Sequence, residues 1–189
     1  MRLIFLIISF LFFHTNGNLF GQENPTTLQI SWETLSSIPP KNGQAQQPGL
    51  AGAFVGVHNN VLLIAGGANF PNGPAWEGGK KVYHSDIYVL EKNGTAYKWL
   101  ANKAFSLPHK MAYGLTVPTE QGLVCIGGMN GSETFDKAFI LKWDKGLQAT
   151  ILQDLPSIPV PVANLSGGKI GDYIYAAAST DGNQQKYFW

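Results

Sequence analysis

The sequence contains one cysteine and few charged residues. Cys125 has no second thiol with which to form an intramolecular disulfide, and its apolar surroundings, Leu123 to Ile126, predict a small buried side chain rather than a nucleophile. Lysine and arginine number 13 against 12 acidic residues, so the net charge of +1 attracts neither nucleic acid nor an anionic membrane. No spacing typical of metal ligands and no phosphate-binding glycine motif is present, so we expect no metal site and no cofactor.

Long hydrophobic runs are also missing, because no run reaches the roughly 20 residues with which a helix crosses a bilayer. The longest, Leu3 to Phe13, follows Arg2 and precedes a polar stretch with small residues. This order predicts a secretory signal peptide over residues 1–21, and cleavage after either Gly17 or Gly21 fits the pattern. We therefore expect a periplasmic or secreted protein without membrane contact after cleavage.

Glycine, proline and apolar residues are abundant, with 22 Gly, 11 Pro and 44% hydrophobic residues, which predicts an all-β fold. A unit recurs at a spacing of about 50 to 60 residues: a strand, a polar turn and a second strand that ends in a double glycine. Residues 51–67 and 111–128 share this order, and 162–178 keeps it with alanines in place of the glycines. We expect each double glycine to have positive φ and to allow a close backbone approach.

An aromatic strand and a further strand follow the first two copies, and Asn93 and Gly94 predict a type I′ hairpin turn between them. Four strands per unit resemble the kelch repeat, whose units form the blades of a β-propeller. A β-sandwich also has short strands, but three aligned copies favour the propeller. The partial kelch propeller, 28–189, divides into an outer strand without its blade and three further segments: 28–39, then blades over 50–108 and 111–156, and an incomplete blade over 162–189.

This count of blades is too small for a closed ring, which needs at least four. An open arc leaves sheet faces and edges uncovered. We therefore expect the chain to be an incomplete copy of a longer protein or, if it is complete, to associate with itself or with another chain.

The most specific part of the sequence follows the first double glycine. Ile64 to Pro71 is followed by an insertion with Trp76 to Lys81 and then by Tyr83 to Tyr88. This order resembles the bacterial sialic acid mutarotases (N-acetylneuraminate epimerases), in particular their cyclically permuted relatives. The resemblance covers residues 28–189, about half of such a protein. It implies a secreted six-bladed propeller that interconverts the α and β anomers of N-acetylneuraminate without a cofactor.

The resemblance does not supply the catalytic residues. The family's catalytic Glu and Arg lie in a later stretch that has no counterpart in these residues, and the superficially similar Gly131 to Thr134 lacks the arginine. The catalytic residues are therefore unknown. Mutarotation requires one proton to leave the anomeric hydroxyl and another to reach the ring oxygen, and Glu77 and His84 are weak candidates for this transfer.

Four residues of the same insertion are candidates for binding the sugar acid. Trp76 could stack on a sugar face, Lys80 or Lys81 could bind the carboxylate, and Asn69 could donate a hydrogen bond. An ordinary solvated loop would carry the same charges, and Asn69 could simply cap a turn.

A second interpretation comes from another functional class. The missing Glu and Arg would also suit a non-catalytic kelch module that binds a glycan or a protein through its loops. The remaining histidines add little to either interpretation. We expect His58 to face solvent in a hairpin turn and His109, beside Lys110, to lie in a solvated loop.

Overall fold

The computed structural model describes residues 29–40, 45–100, 104–179 and 186–188. The predicted signal peptide, 1–21, lies outside these residues. The chain divides into two units, residues 1–34 and 35–189, and the described part of the first, 29–34, contains no strand or helix. All described sheets belong to the second unit, and no helix among the described residues has the length and apolar character needed to span a membrane.

The first sheet is an antiparallel meander with an excursion after its second strand. It has the order β1-β2-β5-β6, with β7 beside β5, while β3 and β4 pair separately. The elements in chain order are β1 (Phe54–His58), β2 (Val61–Ala65), β3 (Ala68–Asn69), a 3₁₀ turn (Ala75–Glu77), β4 (Val82–Tyr83), β5 (Asp86–Asn93), β6 (Ala96–Trp99) and β7 (Phe105–Ser106).

The second sheet repeats this meander and the third has three strands, in the orders β8-β9-β10-β11 and β12-β13-β14. Their strands are β8 (Leu115–Thr119), β9 (Gly122–Ile126), β10 (Ala138–Asp144), β11 (Ala149–Leu155), β12 (Ser166–Ile170), β13 (Tyr173–Ser179) and β14 (Lys186–Phe188). The described chain is therefore all-β, and its sheets are built as kelch-type propeller blades. We call the first two sheets blade 1 and blade 2.

Two local expectations are wrong. Residues 29–40 form no strand, so the outer strand expected over 28–39 is not observed. A chain segment becomes the outer strand of a sheet only when it forms backbone hydrogen bonds to a neighbouring strand. Residues 29–40 pair with none of the described sheets. The β5–β6 turn is centred on Gly94 and Thr95, and only Gly94 has positive φ, as in a type II′ turn rather than the expected type I′.

The two inner strands of blade 2, β9 and β10, are buried on both faces. In β9, Leu123 and Cys125 pack toward blade 1, whereas Val124 and Ile126 pack toward the third sheet. β10 alternates in the same way, and its Trp143 lies in the core shared with blade 1. This two-sided burial explains why β9 reads as a continuous apolar run instead of an alternating one.

The double glycines join neighbouring sheets. The N–H of Gly67 donates to the Met111 carbonyl at 2.8 Å, and Gly128 repeats this bond to Val162 at 2.8 Å. All four glycines have positive φ, between 65° and 108°. A Cβ on the first glycine of either pair would overlap the same carbonyl oxygen of the next segment. The predicted close approach is confirmed, and it serves the packing of one blade on the next.

A second repeated contact lies two residues before the first strand of each sheet. Gly52, Tyr113 and Asn164 all have positive φ, of 62°, 64° and 56°. Tyr113 N–H donates to Gly52 O, and Asn164 N–H donates to Tyr113 O, both at 2.7 Å. Tyrosine rarely adopts this conformation because it is strained for a residue with a Cβ. The two hydrogen bonds, to Gly52 and from Asn164, hold the Tyr113 backbone in it.

The turn after β1 closes the other end of the junction between blades 1 and 2. Trp143 N–H donates to His58 Nδ1 at 3.0 Å, and Asn59 Nδ2 donates to the Trp143 carbonyl at 2.8 Å. The pairing of β9 with β10 ends at Leu141. The Trp143 N–H and carbonyl lie beyond it, and the side chains of the turn provide their hydrogen-bond partners. His58 is thus half-buried at a blade junction, and the expectation that it faces solvent is wrong.

Candidate functional site

The insertion of blade 1 is a small ribbon that carries the candidate residues. Ala68 pairs with Tyr83, and Asn69 pairs with Val82, so residues 70–81 form its tip. The 3₁₀ turn at the tip ends at Gly78, whose φ of 86° allows its N–H to donate to Ala75 O. The ribbon register places the first residues of the insertion beside its last ones.

This register brings Asn69 and His84 together. His84 Nε2 lies 2.9 Å from Asn69 Oδ1, and His84 Nδ1 lies 4.0 Å from Asp86 Oδ2. An amide oxygen can only accept, so Nε2 carries the proton of this hydrogen bond. Asn69 is only 8% exposed, and its Nδ2 has no hydrogen-bond partner among the described residues. The site therefore contains a buried donor whose hydrogen bond is not made.

Lys81 lies against aromatic rings rather than a carboxylate. Its Nζ is 5.6 Å from the centre of the Phe70 ring and 5.2 Å from that of Tyr113. Tyr83 packs edge-on against Tyr113, with 6.2 Å between ring centres. Within the described ranges no carboxylate oxygen comes within 4.0 Å of the Lys81 ammonium. Two rings therefore contact the positive charge of Lys81, and no carboxylate of the described residues neutralises it.

A cavity of about 470 Å³ lies next to these groups. Asn69, Phe70 and Tyr113 line one part of it, and apolar residues including Leu50 and Ala68 line the rest. Tyr113 comes from blade 2 and the other residues from blade 1. A mostly apolar cavity with few polar groups is the usual form of a small-molecule site.

The other predicted residues of the insertion lie apart from this arrangement. Trp76 is 86% exposed, and Glu77 and Lys80 are exposed. In the part of the chain that the structure describes, no side-chain hydrogen bond, ion pair or ring contact involves these three residues. The structure thus joins Asn69 and His84, places Lys81 against the cavity wall, and leaves Trp76, Glu77 and Lys80 on the surface.

Phe70, Tyr83 and Tyr113 lie at the candidate site but are not among the functional residues predicted from the sequence. Tyr113 had a usable signal, because it occupies the repeat position of Gly52 and Asn164, two residue types that tolerate positive φ. A tyrosine at such a position suggests that its side chain has a separate purpose. Phe70 and Tyr83 carried no comparable signal, because aromatic residues occur throughout the blades.

Two residues outside the insertion also have defined surroundings. The His109 ring stacks on Phe135 with 5.9 Å between centres, so it is not simply a solvated loop residue. Cys125 is fully buried, and burial raises the pKa of its thiol, which keeps it protonated and unreactive, as the apolar run predicts. Among the described residues no group of three or more His, Cys, Asp or Glu side chains could hold a metal.

Comparison with known proteins identifies the family. The profile of the N-acetylneuraminate epimerase family matches residues 20–150. The chain belongs to this family. The matched segment includes the insertion, the cavity and most of blade 2, so the site described above lies within the shared region. The resemblance inferred from the insertion is therefore confirmed.

Two curated relatives agree with this assignment. The N-acetylneuraminate epimerase of Vibrio cholerae is 36% identical over 135 residues, 66% of this chain and 32% of the relative. That of Brucella melitensis is 34% identical over 123 residues, 60% of this chain and 30% of the relative. The solved structure of YjhT aligns with 58% of this chain and 32% of its own chain, at 28% identity and a TM-score of 0.46. The matched segment spans about a third of these curated relatives.

Proposed function

We propose that the protein encoded by the complete reading frame containing this chain is an isomerase that interconverts the α and β anomers of N-acetylneuraminate. The observation that carries the proposal is the family match over residues 20–150, supported by 36% identity to the Vibrio cholerae epimerase. We also propose that residues 1–21 direct export to the periplasm or beyond. Fractionation of cells that express the protein should find it outside the cytoplasm and without residues 1–21, and uncleaved protein confined to the cytoplasm would refute this.

The reaction needs a proton acceptor at the anomeric hydroxyl, a donor at the ring oxygen and a means of holding the sugar acid. The site described above suits the third task best. The Nε2 proton of His84 is committed to Asn69, so His84 is better suited to positioning that amide than to relaying protons. Glu77 is exposed and makes no side-chain hydrogen bond or ion pair with the described residues. The acid and base of the proposed reaction therefore remain unassigned.

The test is anomer exchange measured by NMR with the protein expressed from its complete reading frame. Exchange between the two anomers of N-acetylneuraminate should become much faster than the spontaneous rate and should scale with protein concentration. Heat-denatured protein serves as the control. A rate equal to the spontaneous one would refute the proposed activity.

A second candidate is a glycan-binding module without catalysis, and the 86% exposure of Trp76 favours it. An exposed indole on a loop tip offers a flat apolar face on which a sugar ring can stack. This function requires binding of N-acetylneuraminate without anomer exchange, and loss of that binding in Trp76→Ala. Exchange above the spontaneous rate would exclude it.

A further inference from the structure

We propose that the cavity beside β3 is the subsite for the carboxylate of the sugar acid, in which Lys81 supplies the charge and Asn69 donates a hydrogen bond. This inference rests on the proposed function and assigns residues to one part of it. Two independent features carry it: a cation without a carboxylate partner and a buried amide without an acceptor, both judged within the described residues. Both belong to one short ribbon. Asn69 lines the cavity, and the Lys81 ammonium lies 5.6 and 5.2 Å from the ring centres of Phe70 and Tyr113, which also line it.

The surroundings of Lys81 suit an external anion. Phe70 and Tyr113 hold the ammonium by ring contacts at 5.6 and 5.2 Å, which restrict its position but accept none of its hydrogen bonds strongly. A lysine ammonium has three donors and no acceptor, and a carboxylate is the partner that satisfies it best. Lys81 is exposed, so a ligand can reach it without displacing a protein side chain.

Asn69 supplies the second feature. Its Oδ1 is occupied by His84, whereas Nδ2 is buried and has no acceptor in the described part of the chain. Folded proteins rarely leave such a donor unsatisfied, because the unmade hydrogen bond costs free energy. Nδ2 itself is covered, so a ligand oxygen would have to enter beside it from the cavity that Asn69 lines in order to provide the missing acceptor.

Comparison of the two blades indicates that this polar group is not required by the fold. His84 N–H donates to Gly67 O at 2.9 Å, and the corresponding bond in blade 2 runs from Phe135 N–H to Gly128 O at 2.8 Å. Phe135 thus occupies in blade 2 the place of His84. A blade folds with an apolar ring at this position, so the His84–Asn69 pair needs another explanation, which a ligand supplies. His84 acts here as a positioning residue that fixes the Asn69 amide.

The two neighbouring lysines, Lys80 and Lys81, differ in their contacts. Lys80 is exposed and makes no side-chain hydrogen bond, ion pair or ring contact with any described residue, whereas Lys81 contacts two rings. A pre-positioned cation loses less conformational freedom when it binds an anion. The structure therefore assigns the carboxylate to Lys81 and makes Lys80 a matched control.

The experiment measures binding of N-acetylneuraminate and of its uncharged methyl ester to the full-length protein by calorimetry. Lys81→Met keeps an unbranched side chain against the rings but removes the charge. We expect it to raise the Kd for the acid at least tenfold, to leave the Kd for the ester within twofold, and to abolish the salt dependence of acid binding. Lys80→Met should change each value less than twofold.

Asn69→Ala provides a second variant, and circular dichroism verifies that each variant is folded. It should weaken binding of the acid by several-fold while keeping the salt dependence, because the charge remains. Lys81→Met protein that binds the acid as wild type does, or that loses acid and ester binding equally, would overturn the subsite. If wild type exchanges anomers in the same samples, that result leaves the proposed function intact. Wild-type protein that neither binds nor exchanges the acid would refute both.

Discussion

Blades 1 and 2 share one backbone framework but differ in the segment between their second and third strands. In both, the N–H of the first glycine donates to a backbone carbonyl where the third long strand of the blade begins. Gly66 donates to Asp86 at the start of β5, and Gly127 donates to Lys137 just before β10. The second glycine donates to the start of the next sheet, and a pair of reciprocal backbone bonds closes each unit: Ala51 with Ala68, and Ala112 with Met129. The framework thus defines equivalent positions residue by residue.

The segments attached to this framework differ in length and in chemistry. Residues 129–136 of blade 2 form a tight turn in which Asn130 Oδ1 accepts from the N–H groups of Ser132 and Glu133, both at 3.0 Å. This turn satisfies its own polar groups. Residues 68–85 of blade 1 form the ribbon, in which no described carboxylate neutralises Lys81 and no described group accepts from the Asn69 amide. The difference shows that the repeat supplies the scaffold, and the insertion of blade 1 supplies the polar groups that we propose for binding.

The largest expected effect tests whether the two frameworks are equivalent. Gly66→Ala and Gly127→Ala would each place a Cβ on the carbonyl oxygen of the next segment, Met111 or Val162, at a φ that disfavours alanine. We expect each change to lower the free energy of unfolding by at least about 3 kcal/mol, measured by urea denaturation.

Gly49→Ala is the matched control, because Gly49 has open space around its Cβ position and no positive φ. It should change the free energy of unfolding by no more than about 0.5 kcal/mol. If Gly66→Ala and Gly127→Ala differ by more than their experimental error, or either behaves like Gly49→Ala, the two junctions are not equivalent.

An intermediate effect tests the difference between the blades. His84→Phe introduces the residue found at the same place in blade 2 and leaves Asn69 Oδ1 without its partner. We expect a loss of about 1–3 kcal/mol in the free energy of unfolding, because a buried acceptor becomes unsatisfied. Adding Asn69→Ala removes that acceptor, so the double variant should recover part of the loss.

A double-mutant cycle from urea denaturation measures this coupling. His109→Phe, which alters an exposed histidine outside the insertion, is the control and should not couple to Asn69→Ala. Strictly additive losses for His84→Phe and Asn69→Ala would mean that the 2.9 Å contact contributes nothing to stability.

The framework was predictable because repetition makes it visible. A double glycine at the same place in two units indicates a backbone constraint before any coordinates are known, and β9 could be recognised as a strand from its apolar run. The expected strand over 28–39 failed because local pattern cannot supply a pairing partner. The predicted type of the β5–β6 turn was wrong because the strand register is shifted by one residue. This shift makes Gly94 and Thr95 the central residues of the turn instead of Asn93 and Gly94.

The candidate site was predictable only as a segment. Its residue types identified the insertion, but the pairing of Asn69 with His84 depends on the ribbon register, and the position of Lys81 depends on Tyr113 from the next blade. Such contacts between blades are set by tertiary packing, which one sequence does not reveal. Trp76, Glu77 and Lys80 look equally suitable in the sequence, yet they lie on the surface.

The smallest expected effect concerns a position at which both blades are apolar. Cys125 occupies in β9 the register position of Ile64 in β2. Burial raises the pKa of its thiol above the ordinary value of 9.0, so the unfolded chain loses this proton first as pH rises. The contribution of the thiol to stability is therefore complete below about pH 9 and decreases above it. At pH 10 the decrease should be about 1 kcal/mol.

Urea denaturation of wild type and Cys125→Ala at pH 8 and pH 10 isolates this contribution from that of the other titrating groups. The variant should lose about 1 kcal/mol less than wild type between the two pH values, whatever its stability at pH 8. Ile64→Val is the control, since it shortens the equivalent side chain and should keep the full wild-type dependence on pH. An equal alkaline loss in wild type and Cys125→Ala would show that the thiol ionises as readily in the folded chain as in the unfolded one. In that case β9 would not be sealed between two sheets, and the two-sided burial that distinguishes blade 2 would be wrong.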